Sequence, residues 1–126
     1  WGTGTPLREF LHADDLGEAC VFALEHWSAL SRGAPLDEGG EPLAFLNVGT
    51  GIDLSISKLS EMVAAAVDFN GLIRWDHSKP DGTPKKQLDV SRLAAMGWRA
   101  RIALNEGLTS AYDDYLHQLA AGTLRA

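Results

Sequence analysis

The chain has 126 residues and a formal charge of −6, from 11 basic and 17 acidic side chains. This length suits one domain with a modest core, and the acidic balance argues against non-specific nucleic-acid binding, which needs a cationic face. The one cysteine excludes an internal disulfide and a multi-cysteine zinc site. No apolar run approaches the roughly 20 residues of a membrane span. The start at Trp1, with neither Met nor a signal peptide, leads us to expect an internal piece of a longer protein.

The first predicted elements are a strand and a helix. Residues Leu7–His12 alternate as a short strand does, and Asp14 is the predicted N-cap of a helix that ends near Leu30. The predicted buried face of this helix has 3.6-residue periodicity and comprises Leu16, Ala19, Cys20, Ala23, Leu24 and Trp27. Because Cys20 lies on that face, we expect it to be a buried structural thiol.

A second strand and helix follow a loop at 31–42 that is rich in glycine, proline and acids. The unbroken apolar run Ala44–Val48 predicts a strand buried on both faces, as in a parallel sheet. It leads into Gly49-Thr50-Gly51, after which Ser55 or Ser57 can cap the next helix.

The last elements are one strand and two helices. Residues Leu72–Trp75 form a predicted strand, and Asp89 can cap a short helix that stops at Gly97. The final helix carries an apolar stripe at helical spacing, formed by Leu104, Leu108, Ala111, Tyr112, Tyr115, Leu116 and Leu119. The resulting order indicates an α/β or α+β chain. Three strands are too few for a complete doubly wound sheet.

Two glycine pairs invite a dinucleotide-binding interpretation. Gly2-Thr3-Gly4 and Gly49-Thr50-Gly51 both lack the third glycine of G-x-G-x-x-G, and the first pair precedes a strand rather than a helix. Two tight turns at strand ends are the favoured interpretation, and direct cofactor contact is the alternative.

Arg8 and Trp1 are the first candidate ligand contacts. The planar fork of Arg suits bidentate contact with a phosphate, and Trp offers a flat stacking face. A nucleoside diphosphate would use both. On composition alone, a surface ion pair of Arg8 with Glu9 or Asp14 is the favoured alternative.

A second candidate is the loop at 76–86, which is locally basic and stiffened by two prolines. Its lysines are Lys79, Lys85 and Lys86, and Gly82 would let the backbone approach a ligand closely. Such a loop suits an anionic substrate, whereas a solvated turn is the alternative. We expect no metal site, since the four histidines lack metal-ligand spacing, and we find no catalytic nucleophile with a base and an orienting partner.

Three segments together carry a family resemblance. They are residues 1–16, which read Trp-Gly-Thr-Gly-Thr-Pro-Leu-Arg-Glu-Phe-Leu-His-Ala-Asp-Asp-Leu, the turn Asn-Val-Gly-Thr-Gly at 47–51, and residues 78–93, which include Lys-Pro-Asp-Gly-Thr-Pro. The sequence resembles the C-terminal part of the GDP-L-fucose synthase family, within the extended short-chain dehydrogenases/reductases. The likeness extends from Trp1 to about Leu119, and the Lys-Pro-Asp-Gly-Thr-Pro run is its specific marker.

The resemblance implies an α/β fold that combines the end of a Rossmann-like sheet with a small substrate-binding domain. Residues 1–126 would be the substrate-binding part of an NADPH-dependent epimerase/reductase that makes GDP-L-fucose from GDP-4-keto-6-deoxy-D-mannose. The family's catalytic residues and glycine-rich NADP(H) loop precede the matching segments, so no catalytic or cofactor-binding residue is assigned here. The chain alone is expected to be inactive, and the full-length enzyme is expected to be a cytoplasmic homodimer that binds neither nucleic acid nor membrane.

The resemblance also implies roles for single residues in binding the GDP-sugar. Arg8 would hold the diphosphate, Trp1 would flank the nucleotide sugar, and Asp81 would accept hydrogen bonds from guanine or ribose. Lys79 and Lys86 are further candidates for phosphate contact or loop ordering. Two alternatives stay open: an enzyme of the same fold that acts on a UDP- or dTDP-sugar, and a nucleotide-sugar binding module without catalysis.

Overall fold

The computed structural model describes residues 1–124. Within residues 1–124, seven elements follow one another in the predicted order of strands and helices, and the fold is α/β. They are β1 (Leu7–Glu9), α1 (Ala13–His26), β2 (Asp53–Ser55), α2 (Ile56–Ala66), β3 (Lys85–Lys86), α3 (Ser91–Met96) and α4 (Leu104–Ala121). Among residues 1–124, none of the helices combines the length and apolar character that a membrane crossing requires.

The described residues form two compact units. Unit 1 comprises Trp1–Arg8, Asp53–Lys86 and the residues from Ile102 onward, and unit 2 comprises Glu9–Ile52 and Gln87–Arg101.

Unit 1 contains the sheet, whose strand order is β2-β1-β3. β1 and β3 run parallel, with Leu7 opposite Lys85 and Arg8 opposite Lys86. In this unit α2 packs against α4. The Ser55 hydroxyl caps α2 by accepting the Lys58 N–H at 3.1 Å, which confirms Ser55 as one of the two predicted caps. An N-cap oxygen satisfies a backbone donor that the first helical turn leaves free.

Unit 2 contains the core around Ala19, Leu93 and Trp98. Leu46 and Val48 pack against this cluster. The N-cap of α3 is Val90 rather than the predicted Asp89, although the Asp89 carboxylate accepts the Ser91 N–H at 2.9 Å. The helix ends at Met96, and Gly97 follows it with a φ of 111°. A φ in this range is cheap only for glycine, so the predicted stop at Gly97 is confirmed.

Two predicted strands are wrong. Neither Ala44–Val48 nor Leu72–Trp75 is a strand, whereas the unpredicted β2 and β3 are, and the first strand ends at Glu9 rather than His12. A strand requires backbone partners as well as a suitable sequence. The segments at 44–48 and 72–75 make no backbone hydrogen bonds to one another or to other described residues.

The predicted start, end and buried face of the first helix also need correction. α1 ends at His26, and its N-cap is His12, whose Nδ1 accepts the Asp14 N–H at 3.2 Å. The face that enters the core of unit 2 carries Asp15, Ala19 and Phe22.

Asp15 explains this choice of face. It is 2% exposed, and its carboxylate accepts the Arg101 N–H at 3.1 and 3.2 Å. Since a buried carboxylate needs such donors, the hydrogen bond orients α1 and leaves Cys20 exposed. The expected buried thiol is therefore wrong.

Candidate substrate-binding site

The N-terminal segment and the proline-rich loop form one corner of unit 1, called the loop corner here and defined by residues 1–5 and 76–84. Thr3 connects the two segments: its N–H donates to Asp81 Oδ1 at 2.8 Å and its hydroxyl donates to Asp81 Oδ2 at 2.7 Å. The Gly2 N–H donates to the Asp76 carbonyl at 2.9 Å. The predicted loop is therefore held in place by hydrogen bonds to residues more than 70 positions away in the sequence.

The Asp81 carboxylate is kept ionised by these contacts. Hydrogen bonds from the Thr3 hydroxyl and then from its backbone N–H lower the pKa of Asp81 below its usual value. A carboxylate has about four acceptor positions on its two oxygens. Thr3 occupies one position on each oxygen, so Asp81 can still accept hydrogen bonds from a ligand.

Gly2 and Gly4 allow the tight path of the N-terminal segment. Their φ values are 71° and 74°, a region that side chains rarely adopt. A Cβ at Gly2 would collide with the Asp81 carboxylate, and a Cβ at Gly4 would lie 2.6 Å from the Trp75 ring. This geometry favours the interpretation of Gly2-Thr3-Gly4 as a tight turn, because the Gly2 and Thr3 N–H groups are used within the chain.

Asp76 orders the start of the loop. Its Oδ1 accepts from the Ser78 N–H at 3.0 Å and from the Ser78 hydroxyl at 2.6 Å. These bonds, the side-chain one first, lower the pKa of Asp76. Its carbonyl also accepts the Lys79 N–H at 3.2 Å, which directs the chain into the turn before Asp81.

Trp1 and Lys79 lie together on the surface of the loop corner. The Lys79 Nζ is 5.8 Å from the centroid of the Trp1 ring, in a cation–π contact. The indole is 85% exposed. Trp1 therefore presents an open aromatic face at this corner.

The Arg8 guanidinium is held by backbone carbonyls. Its Nη1 donates to the Leu7 carbonyl at 2.6 Å and to the Thr83 carbonyl at 2.7 Å. The expected surface ion pair with Glu9 or Asp14 is wrong, since no ion pair of Arg8 is formed among residues 1–124. Arg has five N–H donors in a rigid fork, so two bonds from Nη1 leave three donors on Nε and Nη2.

Gly82 makes room for that guanidinium. A Cβ built at Gly82 would lie 3.0 Å from Arg8 Nη2. The sequence predicted that Gly82 lets the backbone approach a ligand closely. The structure adds a second reason for a glycine here, which is the close approach of the Arg8 side chain.

The two neighbouring lysines of β3 differ in their partners. Lys85 Nζ lies 3.1 Å from Asp53 Oδ2, so its charge is paired. Lys86 is exposed and makes no ion pair among the described residues. Residues directly opposite in a sheet point to the same face, so Lys86 shares its face of the β1–β3 pair with Arg8.

The five residues predicted to bind the substrate all lie in unit 1: Trp1, Arg8, Lys79, Asp81 and Lys86. Sequence reasoning missed Thr3 and Asp76, which hold the loop corner together. A hydroxyl between two glycines and an Asp two residues before a Ser are weak signals of such contacts.

In unit 2, the Glu9 carboxylate anchors a turn, a role that was not predicted from the sequence. Glu9 Oε1 accepts the Gly51 N–H at 2.8 Å and the Thr50 hydroxyl at 3.3 Å, while Oε2 accepts the Leu88 N–H at 2.9 Å. Burial alone would raise the pKa of Glu9, but the hydrogen bonds from Leu88, Gly51 and Thr50 lower it overall. The turn at Gly49–Gly51 is thus anchored by Glu9, which favours the interpretation of this glycine pair, too, as a tight turn.

Comparison with known proteins gives a consistent result. Residues 1–35 match the NAD dependent epimerase/dehydratase family. GDP-L-fucose synthase 1 of Arabidopsis thaliana is 46% identical over 116 residues, which are 92% of this chain and 32% of that enzyme. The chain thus spans about a third of the length of the curated relatives, and the match lies in their C-terminal third.

Solved structures of related enzymes have the same fold over this span. A GDP-6-OMe-4-keto-L-xylo-heptose reductase from C. jejuni superimposes with a TM-score of 0.83 at 33% identity, over 94% of this chain and 33% of that chain. MlghC, a GDP-mannoheptose C4 reductase from Campylobacter jejuni with NADP bound, gives 0.73 at 30% identity, over 92% and 33%. The resemblance to GDP-L-fucose synthases is therefore confirmed over this span, and so is the fold of the C-terminal part of an extended short-chain dehydrogenase/reductase.

Proposed function

Proceeding from this match, we propose that the chain is the substrate-binding part of a GDP-L-fucose synthase. The parent enzyme would convert GDP-4-keto-6-deoxy-D-mannose to GDP-L-fucose by epimerisation and NADPH-dependent reduction. The observation that carries the proposal is the Arg8 guanidinium, fixed by the Leu7 and Thr83 carbonyls with three donors left over. A preoriented fork of this kind suits a diphosphate, because two parallel charge-assisted hydrogen bonds add geometric specificity to charge.

The other residues of unit 1 would complete the contacts. Lys86, on the same face as Arg8, adds an unpaired positive charge for the diphosphate. Asp81 would accept from the N1–H and 2-amino groups of guanine, or from ribose, with the positions that Thr3 leaves free. Trp1 would flank the nucleotide sugar. Lys79, which contacts the Trp1 ring, would hold the loop in place beside Trp1 or bind a phosphate.

The reduction would depend on NADP(H), as the NADP bound to the related heptose reductase suggests. The residues of this chain do not fit the pyrophosphate of that cofactor. The Gly2 and Thr3 N–H groups donate to Asp76 and Asp81, and the Gly51 N–H donates to Glu9. These backbone donors are used within the chain, and the carboxylate beside each turn would repel a pyrophosphate. We therefore propose that residues 1–126 alone are inactive and that catalysis and cofactor binding belong to the part of the relatives that this chain does not span.

The proposal extends to partners and location. The parent would be a cytoplasmic homodimer whose ligand is a GDP-sugar, with neither nucleic acid nor membrane as a partner. The net charge of −6 supports the exclusion of non-specific nucleic-acid binding.

A hybrid enzyme would test the function. In this hybrid, the present chain replaces the matched C-terminal third of the Arabidopsis GDP-L-fucose synthase 1. Because the hybrid and the natural Arabidopsis enzyme differ only in this third, the nucleotide preference of the hybrid reports on the present chain. We expect NADPH oxidation with GDP-4-keto-6-deoxy-D-mannose, and tighter binding of GDP than of UDP or dTDP in calorimetry.

Two results would contradict the proposal. Tighter binding of UDP or dTDP would indicate another nucleotide sugar. Binding of GDP by a folded hybrid with no turnover would indicate that this chain does not hold GDP-4-keto-6-deoxy-D-mannose in position for reduction, and would contradict its assignment to a GDP-L-fucose synthase. Circular dichroism of the hybrid, compared with the natural enzyme, establishes that it is folded.

A further inference from the structure

The Thr3 hydroxyl uses all of its hydrogen-bonding positions within the loop corner. It donates its proton to Asp81 Oδ2 at 2.7 Å. The same oxygen accepts the Thr5 N–H at 3.2 Å and lies 2.7 Å from Thr5 Oγ1. Because the Thr3 proton is directed at Asp81, Thr5 is the donor between the two hydroxyls. A hydroxyl has one donor and two acceptor positions, so Thr3 has none left for a ligand and its proton stays on Asp81.

The two hydrogen bonds from Thr3 fix the side from which it approaches Asp81. The Thr3 N–H donates to Oδ1 at 2.8 Å, and the hydroxyl donates to Oδ2. Each carboxylate oxygen has an inner acceptor position, parallel to that of the other oxygen, and an outer position that points away from it. The nitrogen and Oγ1 of one threonine are joined only through Cα and Cβ, so they are too close together for either to lie at an outer position. Thr3 therefore fills both inner positions, as a bidentate partner does.

The acceptor positions that Asp81 keeps for a ligand are consequently the two outer ones, which diverge. A ligand group on one side of the carboxylate can reach only one of them. Guanine presents its N1–H and 2-amino donors side by side and in parallel, an arrangement that requires the two inner positions of a carboxylate. If one of these donors bonded to an outer position, the other would lose water without gaining Asp81 as a partner, which weakens binding.

A ribose hydroxyl can bond to a single outer position without this loss. Each hydroxyl rotates independently to direct its proton, and the neighbouring hydroxyl can keep its hydrogen bond to water. Asp81 is exposed, so a nucleoside can reach it. The hydrogen bonds from Thr3 lower the pKa of Asp81, and an ionised carboxylate only accepts hydrogen bonds. It therefore suits a partner that donates, as a ribose hydroxyl does.

We propose that Thr3 is a specificity-determining residue of the loop corner. By filling the inner positions of Asp81, Thr3 directs this carboxylate to a single ribose hydroxyl of the GDP-sugar and away from the guanine edge. Thr3 acts through Asp81 and is thus a positioning residue, and Thr5 keeps the Thr3 proton in the required direction. The inference rests on the proposed function and narrows the two partners of Asp81 named there to one.

A thermodynamic cycle in the hybrid enzyme tests which group of the nucleotide Asp81 binds. Calorimetry of the unchanged hybrid and of its Asp81→Asn variant would compare GDP with 2′-deoxy-GDP, 3′-deoxy-GDP and inosine diphosphate, which lacks the 2-amino group. We expect one deoxy nucleotide to bind the unchanged hybrid at least about tenfold more weakly than GDP, and Asp81→Asn to shrink this ratio at least about threefold. The ratio between GDP and inosine diphosphate should be the same in both proteins. A ratio for inosine diphosphate that shrinks in Asp81→Asn, or deoxy ratios that do not, would overturn the proposal.

Two variants of Thr3 in the hybrid test its role. Thr3→Ser keeps both donors, whereas Thr3→Val keeps the shape of the side chain and removes the hydroxyl that binds Oδ2. We expect Thr3→Ser to retain the discrimination between GDP and the deoxy nucleotide, and Thr3→Val to reduce it at least about threefold. A merely structural role would weaken both nucleotides equally, and an unchanged ratio in Thr3→Val would overturn the proposal. If circular dichroism shows that Thr3→Val is unfolded, the cycle at Asp81 decides the question, because it leaves Thr3 unchanged.

The outcomes separate this inference from the proposed function. Turnover of the GDP-sugar by a hybrid in which Asp81 is not coupled to a ribose hydroxyl would contradict the inference alone. A hybrid that prefers UDP would contradict the function, and the cycle would then be run with UDP and its deoxy analogues. Coupling of Asp81 to a ribose hydroxyl there would support the inference, and its absence would overturn it.

Discussion

Asp81 shows how one side chain can serve both structure and binding. Its carboxylate holds Thr3 by two hydrogen bonds and retains acceptor positions that a nucleoside could use. The residue that the resemblance marks as a ligand contact is therefore also the residue that positions the segment carrying Trp1. A change at Asp81 would disturb both roles.

The lowered pKa of Asp81 predicts a pH dependence of the loop corner. Because ionised Asp81 accepts from Thr3, the contribution of this contact is fully present above the ordinary Asp pKa of about 3.9 and is lost as the pH falls through the lowered pKa. NMR of the Thr3 amide should show a titration with a midpoint below about 3.9. Asp81→Asn should abolish that titration, and a midpoint at or above the ordinary value would contradict the prediction.

Arg8 should matter more for binding than any lysine of the site. Loss of a charge-assisted hydrogen bond costs about 1.5–3 kcal/mol, so Arg8→Ala in the hybrid should weaken GDP binding roughly tenfold to a hundredfold. An unchanged affinity and unchanged turnover in this variant would remove Arg8 from the site.

Lys86 and Lys85 provide a matched comparison on β3. Lys86→Ala removes a charge that is unpaired and on the face of Arg8, whereas Lys85→Ala removes one that Asp53 already neutralises. We expect Lys86→Ala to weaken GDP binding by up to about 1 kcal/mol, the range for exposed charges, and Lys85→Ala to change it less. Calorimetry at two salt concentrations would measure this, since the Lys86 contribution should shrink with salt. A larger effect of Lys85→Ala would contradict the assignment.

At the scale of the elements, Glu9 joins the end of β1 to two distant segments of unit 2. Its carboxylate accepts from Gly51, Thr50 and Leu88, so the turn after 44–48 and the segment before α3 depend on the same side chain. Such multiply bonded carboxylates rigidify the backbone they bind.

Glu9→Gln should therefore destabilise unit 2 by about 1–3 kcal/mol, because one N–H donor would then face an NH₂ group. The pKa of Glu9 is lowered, so its contribution is present above the ordinary Glu pKa of about 4.3 and is lost as the pH falls through the lowered value. Urea unfolding of the hybrid at neutral and acidic pH would measure this, and the difference from wild type should shrink in acid. Glu25→Gln, on the exposed side of α1, is the control and should change little.

At the scale of the whole molecule, uncovered apolar surface is extensive. The exposed side chains include Leu16 and Leu24 of α1, Leu116 and Leu119 of α4, and Phe45. Apolar side chains that gain no burial contribute little to the free energy of unfolding.

We therefore predict that the isolated chain is loosely folded or self-associates. Thermal unfolding should be broad, or analytical ultracentrifugation should detect species larger than a monomer. The hybrid should unfold more sharply than the isolated chain. A sharp unfolding transition of a monomeric isolated chain would contradict this prediction.

The helices and their ends could be predicted from the amino-acid sequence wherever their signals are local. Helical periodicity and caps lie within a few residues of one another, so four helices, the Ser55 cap and the stop at Gly97 could be read directly. The Lys-Pro-Asp-Gly-Thr-Pro run likewise carried the family resemblance without any knowledge of contacts.

The pairing of residues that lie far apart in the sequence could not be predicted without the three-dimensional contacts. The strands of the sheet are β2 and β3 rather than the segments predicted at 44–48 and 72–75. The buried face of α1 carries Asp15, which accepts a hydrogen bond from Arg101. Thr3 and Glu9 bind partners that lie far away in the sequence. The physical reason is that strand pairing and the satisfaction of buried or partly buried carboxylates depend on donors and acceptors that no local pattern specifies.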